Sequence, residues 1–202
     1  MKVAEIFHSI QGEGKNSGIP MTFIRLQGCS VGCSFCDTKF SWDKNAGTEM
    51  SEEEILAQVK YDWVCLTGGE PAEQKCQHLI ELLRGNEIKV QVETSGFGAG
   101  LDGAFIDHLV LSPKLSIYSY EDFKAKVSRY ILRVFDELKL VVCQSKDFAV
   151  LEEFKEEFSV PKEKIWLQPV SCSKTVTEMC VEYCLENEVN ISLQMHKFLE
   201  VR

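Results

Sequence analysis

Short apolar runs alternate along the chain with segments of helical periodicity, and this pattern predicts strands that alternate with helices. Short runs rich in apolar residues, ending at glycine or polar residues, are typical of strands in a parallel sheet. They occur at 3–8, 22–26, 63–67, 88–92, 106–111, 138–142, 165–167 and 190–194. Between them, helical periodicity predicts helices over Lys146–Phe158 and Lys174–Asn187.

Two further helices are indicated by their starting residues. Ser51 is followed three residues later by Glu54, the spacing of a capping box that satisfies the free amides of a helix N-terminus. Pro71 suits the first turn of a helix, and Leu79, Ile80 and Leu83 would form its apolar face. Each of these helices is expected to connect two neighbouring strands.

Repeated strand–helix units predict a parallel sheet with right-handed crossovers, in the α/β class. The link from 95 to 105 contains four glycines and is too short for a full helix. A complete eight-fold barrel also needs roughly 250 residues. We therefore expect a truncated partial (β/α) barrel with some outer helices missing, formed by residues 1–202 as one domain.

The distinctive short motifs follow the predicted strands. Ligands bind at the carboxyl ends of strands in such sheets, so these loops are expected to share one edge and one site. The motifs are the cysteine loop after Leu26, Gly68-Gly69-Glu70-Pro71, Glu93-Thr94-Ser95-Gly96, Ser112-Pro113-Lys114 and Gln168-Pro169.

The net charge and the hydropathy of the chain argue against nucleic acids and membranes as binding partners. The 202 residues carry 22 Lys plus Arg against 31 Asp plus Glu, a formal charge of −9. This balance argues against a nucleic acid as direct ligand, because phosphate binding needs a basic surface. No apolar stretch approaches the roughly 18 residues of a membrane span, and the first residues turn polar too early for a signal peptide. We expect a cytoplasmic protein without membrane contact.

Three of the nine cysteines stand in one loop at the spacing C-x3-C-x2-C. Cys29, Cys33 and Cys36 are separated mostly by small residues, so the loop can wrap closely around a ligand. Three thiolates without a fourth ligand suit a 4Fe–4S cluster with one iron open to an external ligand. A zinc site would want a fourth Cys or His, and none stands at an obvious nearby spacing. The zinc alternative remains open at this point.

The cysteine loop, with an aromatic residue before its third cysteine, resembles that of the radical S-adenosylmethionine (SAM) enzymes. In that superfamily the methionine part of SAM chelates the open iron, and one electron from the cluster releases a 5′-deoxyadenosyl radical. Glycyl-radical-enzyme activating enzymes share the loop and the small size. A non-enzymatic iron–sulfur or zinc module is the alternative from another class.

The remaining motifs resemble one branch of the superfamily, the ring-contracting synthases of queuosine and 7-deazapurine biosynthesis. The resemblance implies conversion of 6-carboxy-5,6,7,8-tetrahydropterin to 7-carboxy-7-deazaguanine, with ammonia released and SAM used catalytically. It also implies Mg²⁺, a homodimer and an external electron donor such as flavodoxin. The motifs are Ser9 to Gly14, Arg25, Cys36-Asp37-Thr38, Thr67 to Pro71, Ser112-Pro113-Lys114, Gln168-Pro169 and Gln194 to Lys197.

The same resemblance implies a role for each motif residue. The cluster ligands are Cys29, Cys33 and Cys36, and Thr38 is the Mg²⁺ ligand. SAM contacts are expected from Phe35, Cys36, Asp37, Gly69, Glu93, Ser95, Ser112, Pro113, Lys114, Gln168, Pro169, Val170 and Ser171. Substrate contacts are expected from Ile10, Gln11, Gly12, Glu13, Arg25, Thr67, His196 and, through its α-carboxylate, Arg202.

Several of these roles have simpler structural alternatives. Arg25 lies in an otherwise apolar strand and needs an anion, which is either the substrate carboxylate or a partner in an ion pair. Ser95 could equally cap a helix. A lone histidine such as His196 is more often structural. Cys180 and Cys184 share a helix face, where core packing is the simplest interpretation.

Overall fold

The computed structural model describes residues 1–201 and contains one mixed sheet of nine strands in the order β3-β1-β2-β4-β5-β6-β7-β8-β9. The strands are β1 Lys2–Ile10, β2 Pro20–Leu26, β3 Thr48–Glu49, β4 Trp63–Gly68, β5 Lys89–Thr94, β6 His108–Leu111, β7 Glu137–Val142, β8 Ile165–Pro169 and β9 Asn190–Ile191. Each is close to a predicted strand, except the two-residue β3, which the sequence pattern did not indicate.

In the sheet order, the strands from β2 through β4 to β9 are parallel, as predicted, but β1 is not. It pairs antiparallel with both β2 and β3. Only residues 11–19 connect β1 to β2, and a parallel crossover needs a dozen residues or more. The predicted parallel sheet is therefore confirmed from β2 to β9, and β1 and β3 add an antiparallel edge to it.

Seven α-helices occur between residues 1 and 201: α1 Glu52–Leu56, α2 Gln77–Gly85, α3 Tyr120–Lys126, α4 Ile131–Val134, α5 Lys146–Phe158, α6 Lys174–Asn187 and α7 Met195–Phe198. Pro71 begins a separate 3-10 turn, Pro71–Glu73, rather than α2. Residues 95–107 form no helix, which confirms the expectation of sparse outer helices. No helix within this described part is long and apolar enough to cross a membrane.

The parallel strands present one apolar face to the main core, and several of them carry polar residues on the opposite face. Leu66, Val92 and Leu140 are fully buried in the main core, which also contains Leu83 of α2 and Phe154 of α5. Successive strand residues point to opposite faces, so their neighbours lie on the other side of the sheet. Those neighbours are Thr67, Glu93 and Lys139, and they line a cavity.

The predicted closing strand over 190–194 is shorter than expected. Pairing with β8 covers Trp166 and Leu167, and the strand ends at Ile191. Ser192 still donates its backbone N–H to Leu167, but its side chain bonds to Gln168 and to the backbone of Gly14. These polar contacts turn the chain away from the sheet and into α7.

Candidate active site

The carboxyl ends of the parallel strands surround a cavity of about 290 Å³. Among the sequence-predicted site residues, Pro113 is buried outside this lining, and Arg202 lies outside the described residues. The others all line the cavity: Ile10, Gln11, Gly12, Glu13, Arg25, Cys29, Cys33, Phe35, Cys36, Asp37, Thr38, Thr67, Gly69, Glu93, Ser95, Ser112, Lys114, Gln168, Pro169, Val170, Ser171 and His196. The structure thus brings together loops that are separated along the whole chain.

The cysteine loop follows β2 and is anchored through backbone hydrogen bonds. Gly28 and Cys29 donate to the carbonyls of Ser41 and Trp42, and Cys36 donates to Cys33. A Cβ on Gly69 would lie 2.0 Å from the carbonyl oxygen of Gly28. Glycine at 69 is therefore what allows the end of β4 to pack directly against the cysteine loop.

The outer side of the cysteine loop is held by two further groups. The Glu73 carboxylate accepts hydrogen bonds from the backbone N–H and the hydroxyl of Ser30. The Tyr118 hydroxyl donates to the carbonyl of Val31 at 2.8 Å. Lys44 pairs with Glu73 at 2.7 Å. The loop is thus supported from outside, while its three cysteines line the cavity.

The donor set fits an iron–sulfur cluster. All three thiols line the cavity, and soft thiolates are the ligands that such clusters require. Burial raises the pKa of the Cys29 thiol to about 11 and also raises that of Cys33, so metal binding must release these protons. Within residues 1–201, no three His, Cys, Asp or Glu side chains are grouped to hold a single metal ion.

Glu70 is a buried carboxylate between the cysteine loop and β5. It accepts hydrogen bonds from the backbone N–H of Ala72 and of Ser95, and from the hydroxyls of Thr94 and Ser95. Burial raises its pKa, although these hydrogen bonds oppose the shift. Ser95 is thus bound to Glu70 and does not cap a helix. The sequence signal for Glu70 was its place in the strand-end motif.

Arg25 forms an ion pair and also borders the cavity. Its Nε lies 2.9 Å from Oε1 of Glu5, and its guanidinium lies 5.6 Å from the ring centroid of Phe7. The ring of Phe7 stacks on that of Phe23 at 4.9 Å. Arg25 also lines the cavity, so the ion pair with Glu5 orients a guanidinium that borders the site.

Residues 11–19, here called the floor loop, cross the underside of the cavity. They connect β1 to β2, yet their polar groups bond to β5, to β7 and to Ser192 after β9. The pairs are Gln11 Nε2 to Glu93 at 2.9 Å, Gly14 N to Ser192 Oγ at 2.9 Å, Lys15 N to Glu137 at 3.0 Å and Asn16 Nδ2 to Gln91 at 2.7 Å. The floor loop therefore closes one end of the open sheet.

A buried ion-pair cluster lies where the floor loop meets β5 and β7. Lys139 Nζ is 2.6 Å from Glu13 and 2.9 Å from Glu93. Burial opposes the charged form of Glu13, but attraction and hydrogen bonding from Lys139 lower its pKa to about 2. Burial likewise opposes the charge on Lys139, yet the two carboxylates raise its pKa above the ordinary value. Sequence reasoning missed Lys139, although a lysine within an apolar strand was a usable signal.

The C-terminal segment rests on the floor loop. Met195 donates its N–H to the carbonyl of Gly12 at 2.9 Å, and a Cβ on Gly12 would lie 2.2 Å from Nδ1 of His196. Lys197 lies 3.6 Å from Asp37 of the cysteine loop and donates to Gln194 at 2.7 Å. The segment thus connects the floor loop to the cysteine loop.

The loop after β8 contains two strained residues. Ser171 and Cys172 have φ values of 51° and 54°, in the left-handed region that non-glycine residues rarely adopt. Ser171 lines the cavity, and such strain is characteristic of functional segments. Further lining residues had no role assigned from the sequence. Gly68, Glu70, Thr94, Gln194 and Lys197 stand in the predicted motifs, whereas the others were not indicated from the sequence: Phe7, Phe23, Val31, Trp42, Lys139 and Val141.

Comparisons with known proteins match this geometry. The Radical SAM superfamily profile matches residues 23–114, which include the cysteine loop and the end of β6. The chain is 33% identical to the 7-carboxy-7-deazaguanine synthase of Escherichia coli K12, over 98% of both chains. It is 38% identical to the enzyme of that name from Bacteroides thetaiotaomicron, over 100% of this chain and 98% of the relative.

Two solved structures share the fold. The crystal structure of QueE from Escherichia coli superimposes with a TM-score of 0.79 at 31% identity, covering 96% of this chain and 94% of that one. Streptococcus suis SuiB, solved bound to S-adenosylmethionine, gives a TM-score of 0.56 at 16% identity, covering 83% of this chain and 48% of that one. The second likeness concerns the fold alone.

Proposed function

This chain belongs to the 7-carboxy-7-deazaguanine synthase family of radical SAM enzymes, and from that premise we propose its reaction and the roles of its residues. The substrate is 6-carboxy-5,6,7,8-tetrahydropterin, and the product is 7-carboxy-7-deazaguanine. Ammonia is released, and SAM is used catalytically. The enzyme acts in queuosine and 7-deazapurine biosynthesis, on a small molecule rather than on nucleic acid.

One observation supports this proposal most directly. A single cavity is lined by the cysteine loop, by Arg25 and Thr67, and by the floor loop with the C-terminal segment. The cysteine loop would be common to all radical SAM enzymes. The other groups supply a cation for the substrate carboxylate and polar groups for a flat ring, which a protein-activating enzyme would not need.

The cofactors are a 4Fe–4S cluster and SAM, as in the superfamily to which the chain belongs. We propose Cys29, Cys33 and Cys36 as the three cluster ligands. Bound there, the cluster and SAM supply a radical able to abstract hydrogen from C6 of the pterin. Thr38 would offer an oxygen ligand to a Mg²⁺ ion, which prefers hard oxygen donors and retains several waters.

The protein's own groups bind and orient both molecules. The cation of Arg25, held by Glu5, would bind the substrate carboxylate. The end of β1 at Ile10 and the floor loop at Gln11 and Gly12 would contact the pterin edge. Thr67 and His196 would complete the substrate wall. SAM would lie against Gly69, where the absence of a side chain permits backbone contact. It would also contact the strand-end loops of β6 and β8.

The reaction also needs an external electron donor. A second cleft borders the outer side of the cysteine loop at Ser30 and is rimmed by Lys44, Lys75 and Lys126. These cations stand out in a chain of formal charge −9. We propose that an acidic one-electron carrier such as a flavodoxin docks at this cleft, because complementary charge steers the association of proteins.

We also propose that residues 1–202 form one catalytic unit and that two copies associate. One sheet runs without interruption from β3 to β9, which supports a single unit. Four large apolar side chains near the C-terminus are exposed and would be covered in a dimer: Leu193, Phe198, Leu199 and Val201.

The decisive experiment is product analysis under anaerobic conditions. The protein is reconstituted with iron and sulfide, reduced, and supplied with SAM, Mg²⁺ and the carboxytetrahydropterin. We expect 7-carboxy-7-deazaguanine by mass spectrometry, with more than one product molecule per SAM consumed. Cys36→Ser is the inactive control. Stoichiometric SAM consumption without a deazapurine would overturn the proposal in favour of an activating enzyme.

A further inference from the structure

Lys139 has no role in the proposed chemistry so far, yet it is one of the most buried cations of the described chain. Its side chain is 5% exposed and lies in the middle of β7. Its ammonium group bonds to two carboxylates from different elements, Glu13 of the floor loop and Glu93 of β5. Lysine is almost never this buried unless its charge is paired.

Each carboxylate continues into groups that border the cavity. Glu13 also accepts hydrogen bonds from Gln168 Nε2 at 3.2 Å and from Gln194 Nε2 at 2.8 Å. Gln194 precedes α7, which carries His196. Glu13 therefore joins the floor loop, β8 and the C-terminal segment at one point.

Glu93 makes the corresponding contact on the other side of Lys139. It accepts a hydrogen bond from Gln11 Nε2 at 2.9 Å and another from Gln91 Nε2 at 3.2 Å. Gln11 is 3% exposed, and its amide is held by Glu93 at Nε2 and by the backbone N–H of Glu13 at Oε1, 3.1 Å away. Lys139 thus stands between the two carboxylates that orient Gln11 and the C-terminal segment.

We infer that Lys139 is a positioning residue that holds the floor loop and the C-terminal segment in the geometry that recognises the pterin. This inference rests on the proposed function and extends it to a residue with no substrate role of its own. Lys139 acts through Glu13 and Glu93, and its ammonium group fixes the distance between them.

The positive charge of Lys139 is what this positioning role requires. Without the ammonium group, two partly buried carboxylates, 14% and 19% exposed, would face each other with no cation between them. Like charges at such a distance in a poorly solvated site repel strongly, so the floor loop would move away from β5. The cysteine loop is anchored elsewhere, through Ser41, Trp42 and Glu73. Pterin recognition should therefore suffer more than SAM cleavage.

The test compares Lys139→Met with Lys139→Arg in the reconstituted enzyme. For Lys139→Met we expect the KM for the pterin to rise by at least about tenfold, since truncating a buried charge pair leaves its partners unpaired. Reductive cleavage of SAM without pterin should stay within about twofold of wild type. Of the expected SAM contacts among the described residues, only Glu93 bonds directly to Lys139, whereas Gly69 and the loops after β6 and β8 make no hydrogen bond to it. Lys139→Arg keeps the cation and should recover most of the KM.

Lys164→Met is the matched control, since Lys164 Nζ bonds a backbone carbonyl, that of Phe135, at 2.6 Å. It should leave both measurements unchanged. If Lys139→Met does not fold, Lys139→Gln, which is polar but uncharged, tests the same contact and should raise the KM for the pterin selectively. An unchanged KM, or equal loss of SAM cleavage and pterin turnover, overturns the inference. Absence of product from wild-type enzyme would instead overturn the proposed function.

Discussion

Gly14 shows how a single residue is constrained by the buried charges around it. Its φ is +63°, and a Cβ would lie 2.1 Å from Oε1 of Glu137. That carboxylate cannot swing aside freely, because its other oxygen accepts from Lys15 N at 3.0 Å and lies 3.2 Å from His108. Glycine is required here by both backbone conformation and space.

We predict that Gly14→Ala lowers the free energy of unfolding by about 3 kcal/mol, from left-handed strain and the clash together. Gly18 in the same loop has φ +91°, but a Cβ added there would meet nothing within 4 Å, so Gly18→Ala should cost only about 1 kcal/mol. Urea unfolding of both variants measures the difference. Equal destabilisation would show that the clash with Glu137 contributes nothing.

The lowered pKa of Glu13 predicts a pH dependence of stability. Its folded value of about 2 lies below the ordinary 4.5, so its stabilisation is present above pH 4.5. The stabilisation is lost as the pH falls from 4.5 towards 2, because the unfolded chain then binds the proton more readily. Glu13→Gln should be less stable at neutral pH and should lose less stability across this window. Parallel slopes in urea titrations from pH 5 down to about 2 would contradict the assignment.

A charged residue within an apolar strand was a useful sequence indicator of a site residue. A charged side chain in an apolar strand identified Arg25, and the same signal at Lys139 was overlooked. The anions that pair with Arg25 and Lys139 could not be predicted from the sequence. Glu13 and Lys139, for example, are 126 residues apart along the chain. The type of residue indicates that an anion is needed, whereas the fold determines which anion is near.

At the scale of elements, α1 is a five-residue helix that depends on its N-terminal cap. Ser51 accepts from the backbone N–H of Glu54 at 3.2 Å, and Glu54 accepts from Ser51 N at 2.8 Å. The predicted capping box is therefore confirmed. By contrast, Ser145 before α5 makes no capping hydrogen bond, and the side chain of Asp147 accepts from Cys143 N and Gln144 N instead.

We predict that Ser51→Ala lowers the free energy of unfolding by about 1 kcal/mol, the usual cost of a lost N-cap. Ser145→Ala should change it by less than about 0.5 kcal/mol, since no cap is lost. Thermal unfolding compares the two variants, and neither should alter the KM for the pterin. A larger loss from Ser145→Ala would contradict this account of the helix starts.

Element types were predictable where the local pattern was strong, and boundaries failed where long-range contacts took over. The helices Lys146–Phe158 and Lys174–Asn187 have the predicted bounds. The strand predicted over 190–194 ends early because Ser192 bonds to the floor loop, 178 residues away. A pattern read over a few residues contains no information about such a partner.

The whole molecule is acidic, but its charge is not evenly distributed. The cleft beside the cysteine loop carries Lys75 and Lys126, with Lys126 Nζ lying 4.1 Å from the ring centroid of Tyr118. Tyr118 in turn bonds to the cysteine loop at Val31. An acidic carrier bound at these lysines would therefore approach the outer side of the cysteine loop.

Charge reversal tests this surface. We predict that the double variant Lys75→Glu and Lys126→Glu raises the KM for reduced flavodoxin by about tenfold, because rim charges steer association. Turnover with dithionite, which needs no docking, should be unchanged. Lys174→Glu is the control, since Lys174 is 91% exposed and outside the cleft. An unchanged flavodoxin KM in the double variant would place the donor elsewhere.

The order of strands, helices and motifs in the sequence was sufficient to predict the α/β class and the cysteine loop. It also predicted that the motifs meet at one edge of the sheet. Parallel strands place all their carboxyl ends on one side, so motifs that follow strands must meet whatever the details of packing. The contacts of the floor loop and the C-terminal segment could not be predicted from local sequence patterns. They depend on how residues 11–19 and 194–197 pack against the far strands, and contacts such as Glu13 to Gln194, 181 residues apart, exist only once the sheet has formed.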